Sequence, residues 1–210
     1  ADTLEQSSQE VQQAVLAHLH PERAADVLEE MDPDEAADIL ADMDDQTSER
    51  LLTLMEDDDA KEVRTLLGYP ETSSGGIMTT EFAWVPYTYN VEQALKHLRS
   101  SEEAMEDEFM YYVYLLDEQE RLRGVISLRD LVTASLDQPL SDWIDDDIAQ
   151  VTPLTPQEEA AYLVAKYDLM ALPVVEPESK KMIGIVTVDD ALDTVLPTAW
   201  KKKLPRFSGK

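Results

Sequence analysis

The sequence predicts an α+β protein, an all-α right-handed helical-repeat solenoid followed by two tandem copies of a β-α-β-β-α unit. Three observations lead there. Apolar positions recur every 12 residues through the first 68, a stretch rich in Gly, Pro, Ser and Thr then breaks the pattern, and beyond it one motif returns after 60 residues.

The repeat is visible in "RAADVLEEMDP", "EAADILADMDD" and "SERLLTLMEDD", which align Met31, Met43 and Met55 and, four residues earlier, Val27, Ile39 and Leu51, with Val63 following. Each unit reads as one short helix and an Asp- or Pro-containing turn. A helix of about 8 residues is marginal alone. Stacking such units buries a shared Leu, Met and Ala face and leaves acidic outer faces.

Residues 68–82, "GYPETSSGGIMTTEF", read as a linker. After it, "FAWVPY" and "FMYYVYLLD" predict strands, "NVEQALKHLRSS" an amphipathic helix, and "RLRGVISLRDLVTASL" a strand, turn and helix. The second half repeats this plan, with "AQVTPLT" as strand, "PQEEAAYLVAKYD" as helix, "ALPVVEPE" as strand and "KMIGIVTVDDALDTVL" as strand and helix. Gly124 and Gly184, Ser127 and Thr187, and Asp130 and Asp190 are each 60 apart. The expected domains are 1–68, 69–138 and 139–197, with 198–210 as a basic tail or the start of a linker to a membrane domain.

Composition narrows the function. With 45 acids against 17 bases the formal net charge is −28, which argues against nucleic acid, because phosphate binding needs clustered Lys and Arg, and for cations. Residues 1–68 alone hold 20 acids and 4 bases, whereas 198–210 hold five bases and no acid. There is no cysteine, so neither disulfides nor thiolate metal sites can form, which suits a cytoplasmic setting. No apolar run approaches the ~18 residues of a spanning helix. The three histidines, His18, His20 and His97, form no catalytic pattern, and there is no P-loop, HExxH or nucleophile elbow. A non-enzymatic protein is expected.

The tandem units, each carrying Gly, two apolar residues, Ser or Thr, and then Asp, resemble a pair of cystathionine-β-synthase (CBS) domains. The acidic repeat ending in "GYPETSSGGIMTTEF", followed by "YYVYLLDEQERLRGVISLRDL", "YDLMALPVV" and "GIVTVDDALD", resembles the cytosolic region of the MgtE family of magnesium channels and transporters over residues ~20–197. The resemblance implies a Mg²⁺-sensing regulatory region, a homodimer formed through the CBS domains, and a transmembrane pore domain in the same full-length chain. It places the region at the cytoplasmic face of the cell membrane. A freestanding cytoplasmic protein is the other reading of the tail, whose Trp200 and Lys201 to Lys203 have juxtamembrane character.

Carried over motif by motif, the resemblance implies Mg²⁺ ligands at Asp34 and Asp38 of "DPDEAADIL", Glu158 of "PQEEAA", Asp168 of "KYDLMALP", and Asp190 and Asp193 of "VDDALD". Asp190 and Asp193 share a helical face, whereas Asp189 does not. The local alternative for all three is N-terminal capping. Pro156 stands where the family has an acid, and "LPTAWKKKLPRFSGK" stands where it has an acidic linker helix, so sites between that helix and the CBS domains are not expected here.

The alternative function is an adenosine-nucleotide-sensing CBS module. Ser127 and Asp130 would then hold phosphate and ribose hydroxyls, with Tyr112 near the base and ATP or another adenosine nucleotide as ligand. The same Ser127 and Asp130 read equally as caps of the helix that follows.

Overall fold

The computed structural model describes residues 9–100 and 111–196, so the basic tail lies outside the described residues. The N-terminal part comprises α1 (Gln9–His18), α2 (Pro21–Glu29), α3 (Pro33–Ala41), α4 (Asp45–Leu54) and α5 (Asp57–Leu67). From α2 onward the helices start 12 residues apart, at Pro21, Pro33, Asp45 and Asp57. Pro21 and Pro33 sit in first turns, where no backbone N–H is needed. Asp44 caps α4 by accepting the Thr47 N–H at 3.1 Å and its hydroxyl at 2.7 Å.

The common register buries Leu28, Leu40 and Leu52 together with Ala24, Ala36 and Ala60. Each helix packs on the next but one, α2 on α4 and α3 on α5. The small alanines allow the close approach of neighbouring axes. The predicted stack of helical repeats is what the chain forms.

The first repeat of the second half contains β1 (Trp84–Pro86), α6 (Val91–Leu98), β2 (Tyr112–Leu116), β3 (Leu122–Ser127) and α7 (Leu128–Thr133), followed by a 3-10 turn over Leu140–Trp143. Its sheet runs β1-β2-β3, with β1 parallel and β3 antiparallel to β2. The second contains α8 (Gln157–Tyr167), β4 (Ala171–Val175), β5 (Met182–Thr187) and α9 (Val188–Val195), with β4 and β5 antiparallel. Its expected leading strand, "AQVTPLT", is reduced to one parallel bridge between Val151 and Val174. Pro153 lacks the N–H that would extend the ladder.

The segment that reads as a linker is instead a buried strap. Ser73, Ser74 and Met78 are buried. Ser74 N–H donates to the Thr155 carbonyl at 2.7 Å, Gly75 N–H to that of Pro153 at 2.8 Å, and Thr79 and Ile185 exchange two backbone bonds of 2.9 Å. The strap precedes the first unit in sequence and belongs to the second in space.

The reverse exchange also occurs. Leu140 N–H donates to Tyr89 at 2.9 Å, Val91 N–H to Gln138 at 3.0 Å and Asp145 N–H to Arg123 at 3.0 Å, which fastens the segment ahead of the second unit onto the first. These crossings explain the glycine of the duplicated motif. A Cβ on Gly124 would stand 2.3 Å from the Trp143 carbonyl oxygen, and one on Gly184 would stand 2.6 Å from that of Thr79. The motif glycine is the place where a strand accepts the other unit's lead-in.

The two sheets meet through Tyr114, Leu116, Ala171, Met182 and Ile185, with Phe82 edge-on to Tyr114 at 5.8 Å. The first unit keeps its own core around Val85, Val91, Leu115, Ile126 and Leu131. A separate core runs without interruption from the helical repeats through Met78 to Val151, Val164, Leu172, Val186 and Ala191 of the second unit. The helical domain and the second unit are therefore one packed body.

Gly124→Ala and Gly184→Ala should each destabilise the chain by about 1–3 kcal/mol, as overpacking against rigid backbone does. Gly68→Ala, whose Cβ would lie 3.2 Å from the nearest carbonyl oxygen, should cost less. Urea melts of the three variants check the order, and equal losses would refute the crossing argument.

Candidate functional site

The site is built where the N-terminus of α3 meets the N-terminus of α9. Asp34 lies in the first turn of α3, and packing brings it against Asp190 in the first turn of α9. Asp34 is partly exposed as a residue, yet its Oδ1 is out of solvent contact and has no hydrogen-bond partner. Burial holds the Asp34 carboxyl well above the usual carboxylate range, and the negative charges of Asp190, Asp32 and Glu35 push it further the same way. The α3–α9 contact thus sets one acid against another, with Asp34 Oδ1 out of solvent contact.

Asp190 has a second task. Its carboxylate accepts a short hydrogen bond from the Thr187 hydroxyl, and its N–H donates back to Thr187 Oγ1 at 3.5 Å. Ser127 and Asp130 repeat the arrangement at the start of α7, with bonds of 2.7 and 3.0 Å. The Ser or Thr and Asp of the duplicated motif thus form reciprocal N-caps in both units. Capping and ligand binding draw on the same side chains.

Asp38, one turn beyond Asp34 on α3, lines a cleft of about 400 Å³ together with Asp34, Ala37, Leu66, Glu71 and Met78. Glu71 escapes a reading of sequence alone, because its stretch looks like a linker. The only local signal is an acid just outside the last helix of the repeat. Tyr69 packs onto Gly75 of the strap, and burial and then the nearby Glu176 push its phenol pKa up.

The other expected ligands are more dispersed. Glu158 is exposed in the first turn of α8. Asp168 is the exposed C-cap of the same helix, in the left-handed conformation with φ 54°. Asp193 is exposed on α9, one turn past Asp190, and α8 packs against α9. Among the described residues no three His, Cys, Asp or Glu side chains converge closely enough to hold an ion by themselves. The structure brings Asp34 and Asp190 together and leaves Glu158, Asp168 and Asp193 on the surrounding surface.

The three residues suited to a nucleotide do lie side by side. Tyr112 and Ser127 are cross-strand partners on β2 and β3, and Asp130 is bonded to Ser127. The Tyr112 hydroxyl reaches the second unit, accepting the Met170 N–H at 3.5 Å.

Comparison with known proteins follows this division. Residues 1–72 match the MgtE intracellular N domain, and residues 75–137 and 140–197 each match the CBS domain. The fold superposes on the crystal structure of the cytosolic domain of the Mg²⁺ channel MgtE in complex with ATP with a TM-score of 0.83 and 39% identity, covering 92% of this chain and 78% of that one. The chain belongs to the MgtE family. The soluble part of a magnesium transporter gives a TM-score of 0.80 at 37% identity, covering 86% of this chain and 69% of that one. Among curated relatives, the magnesium transporter MgtE of Thermus thermophilus is 42% identical over 62% of this chain and 28% of its own length. That of Bacillus subtilis is 38% identical over 64% and 29%. The chain thus spans less than a third of these MgtE transporters, and among its described residues no helix is long and apolar enough to cross a membrane.

The raised pKa of Asp34 has a defined sign. A carboxyl that titrates higher when folded favours the folded contact fully below its unfolded pKa of about 3.9, and this contribution is lost as pH rises through the folded value. In EDTA, Asp34→Asn should therefore raise the melting temperature at neutral pH, by about 1–4 kcal/mol, the repulsion between adjacent carboxylates from a watery surrounding to an effective dielectric constant of 20. The gain should shrink as pH falls towards about 4. Thermal melts across that range check this, and a variant less stable at every pH would show that Asp34 is not under repulsion.

Proposed function

We propose that this chain is the Mg²⁺-sensing regulatory region of a magnesium channel or transporter, at the cytoplasmic face of the membrane, and that Mg²⁺ holds its helical domain closed on the second CBS domain. The observation that carries this reading is the orphaned Oδ1 of Asp34 facing Asp190 across the α3–α9 contact. Hard carboxylate oxygens suit Mg²⁺, which binds through one or two carboxylates and keeps several of its waters. Bound there, the ion would supply the charge that makes the contact attractive. Asp34 and Asp190 would hold it, and Asp38, Glu158, Asp168 and Asp193 would bind further ions through water.

The mechanism is a shift of population. Cations that favour the closed form stabilise it, and their loss leaves repulsion to open it. In the full-length protein that motion would be transmitted to a transmembrane pore domain in the same chain. The role is regulatory and not enzymatic. Pairing of two chains through the CBS domains is supported by Val132 and Leu192, which occupy equivalent places on α7 and α9 and are 63% and 50% exposed.

A second ligand is favoured by the adjacency of Tyr112, Ser127 and Asp130 and by the ATP complex of the 39%-identical relative. An adenosine nucleotide held there would touch both CBS domains through Tyr112, and so tune the closed form without being hydrolysed.

Mg²⁺ at about ten times its Kd should stabilise the chain by about 1.4 kcal/mol by linkage. That corresponds to a rise of roughly 3–6 °C in melting temperature. K⁺ at equal ionic strength should not reproduce the rise, and Asp190→Asn should remove most of it. Identical melts in the two salts would refute the sensor. Calorimetry with ATP and AMP tests the second ligand: heat that disappears in Asp130→Ala is expected, and no heat from either nucleotide would exclude it.

A further inference from the structure

The cleft beneath α3 has features that the cation site does not use. It is bounded by the strap and by the end of α5, and its lining joins Asp34, Asp38 and Glu71 to the partly exposed Leu67 and Tyr69 and the exposed Pro70. A volume of about 400 Å³ is within the range of small-ligand pockets. One wall carries the buried, unpartnered Oδ1 of Asp34. The cleft therefore offers both a greasy surface and, at Asp38 and Glu71, negative charge.

One segment of this chain has the complementary chemistry. "WKKKLPRF", Trp200 to Phe207, alternates apolar and basic residues and contains no acid. It follows α9, whose N-terminal turn faces Asp34. Reach is sufficient: α9 is 8 residues long, a rise of about 12 Å, while the five residue steps from Leu196 to Lys201 can extend to about 17 Å. The lysines can fold back along α9 to the cleft.

We propose that the basic segment Trp200 to Phe207 docks in this cleft, with Lys201, Lys202 or Lys203 facing Asp38 and Glu71 and an apolar side chain against Leu67, Tyr69 and Pro70. The tail then acts as a tethered cation for the helical domain. Because it needs no metal, the proposal can be tested in EDTA, where its failure leaves the Mg²⁺ reading untouched.

The experiment is carbodiimide cross-linking of the full chain at low salt, with the joined peptides mapped by mass spectrometry. Links from Lys201, Lys202 or Lys203 to Asp38 or Glu71 are expected, and mixing labelled with unlabelled chains should show them to be intramolecular. Glu71→Lys, an exposed change that spares the proposed metal ligands, should reduce the links to Asp38 about tenfold, since removing one surface attraction and adding one repulsion are each worth up to about a factor of five. If that variant melts early, Glu71→Gln, which removes only the attraction, should still reduce the Asp38 links by up to about fivefold. Links spread over remote acids such as Asp117 and Glu178, links only between chains, or links indifferent to both variants would overturn the proposal. So would a tail that gives no cleft links and instead carries the chain onto phosphatidylglycerol vesicles.

Discussion

Where α3 of the helical domain meets α9 of the second CBS domain, an acidic first turn is pressed against another, and Asp34 bears this constraint. Its carboxyl is buried, lacks a partner for Oδ1 and faces Asp190. Two unit charges about 4 Å apart repel by about 1 kcal/mol in water and about 4 kcal/mol at an effective dielectric constant of 20. Apolar burial along the shared core opposes this repulsion. The closed arrangement is a balance that a modest charge can tip.

The shared core gives the balance its leverage. Leu28, Leu40 and Met55 of the repeats, Met78 of the strap and Val164, Val186 and Ala191 of the second unit form one contiguous apolar body. Displacing α3 from α9 therefore acts directly on the second CBS domain. The strap extends the connection, because it leaves the helical domain, bonds to the second unit through Thr79 and Ile185, and only then enters the first unit at β1. Both CBS domains are tied to the helical domain, one by packing and the other by chain.

The parts of the fold governed by local chemistry were legible in the sequence. The 12-residue spacing of Met31, Met43 and Met55 reproduces the spacing of the helix starts, because each turn is set by a Pro or Asp at the same place in each unit. The duplicated Gly, Ser or Thr, and Asp motif predicted the repeated strand and helix, and its capping role is visible in both copies. What depends on remote partners was not legible. Ser74 and Gly75 have linker composition, yet their bonding partners lie about 80 residues away, at Thr155 and Pro153. Asp34 reads locally as an ordinary first-turn acid, and only the packing of α9 against α3 buries it. Glu71 was hidden for the same reason as the strap that carries it.

The absence of cysteine makes the central claim directly measurable, because two thiols can be introduced cleanly. Lys61→Cys on α5 and Glu178→Cys beyond β4 place labels at exposed positions on the helical domain and the second CBS domain. Distances between the paired spin labels should be read by pulsed resonance in EDTA and in excess Mg²⁺. A single narrow distance in Mg²⁺ that gives way to a broader, longer distribution in EDTA is the result this account predicts. The same narrow distance under both conditions would contradict it.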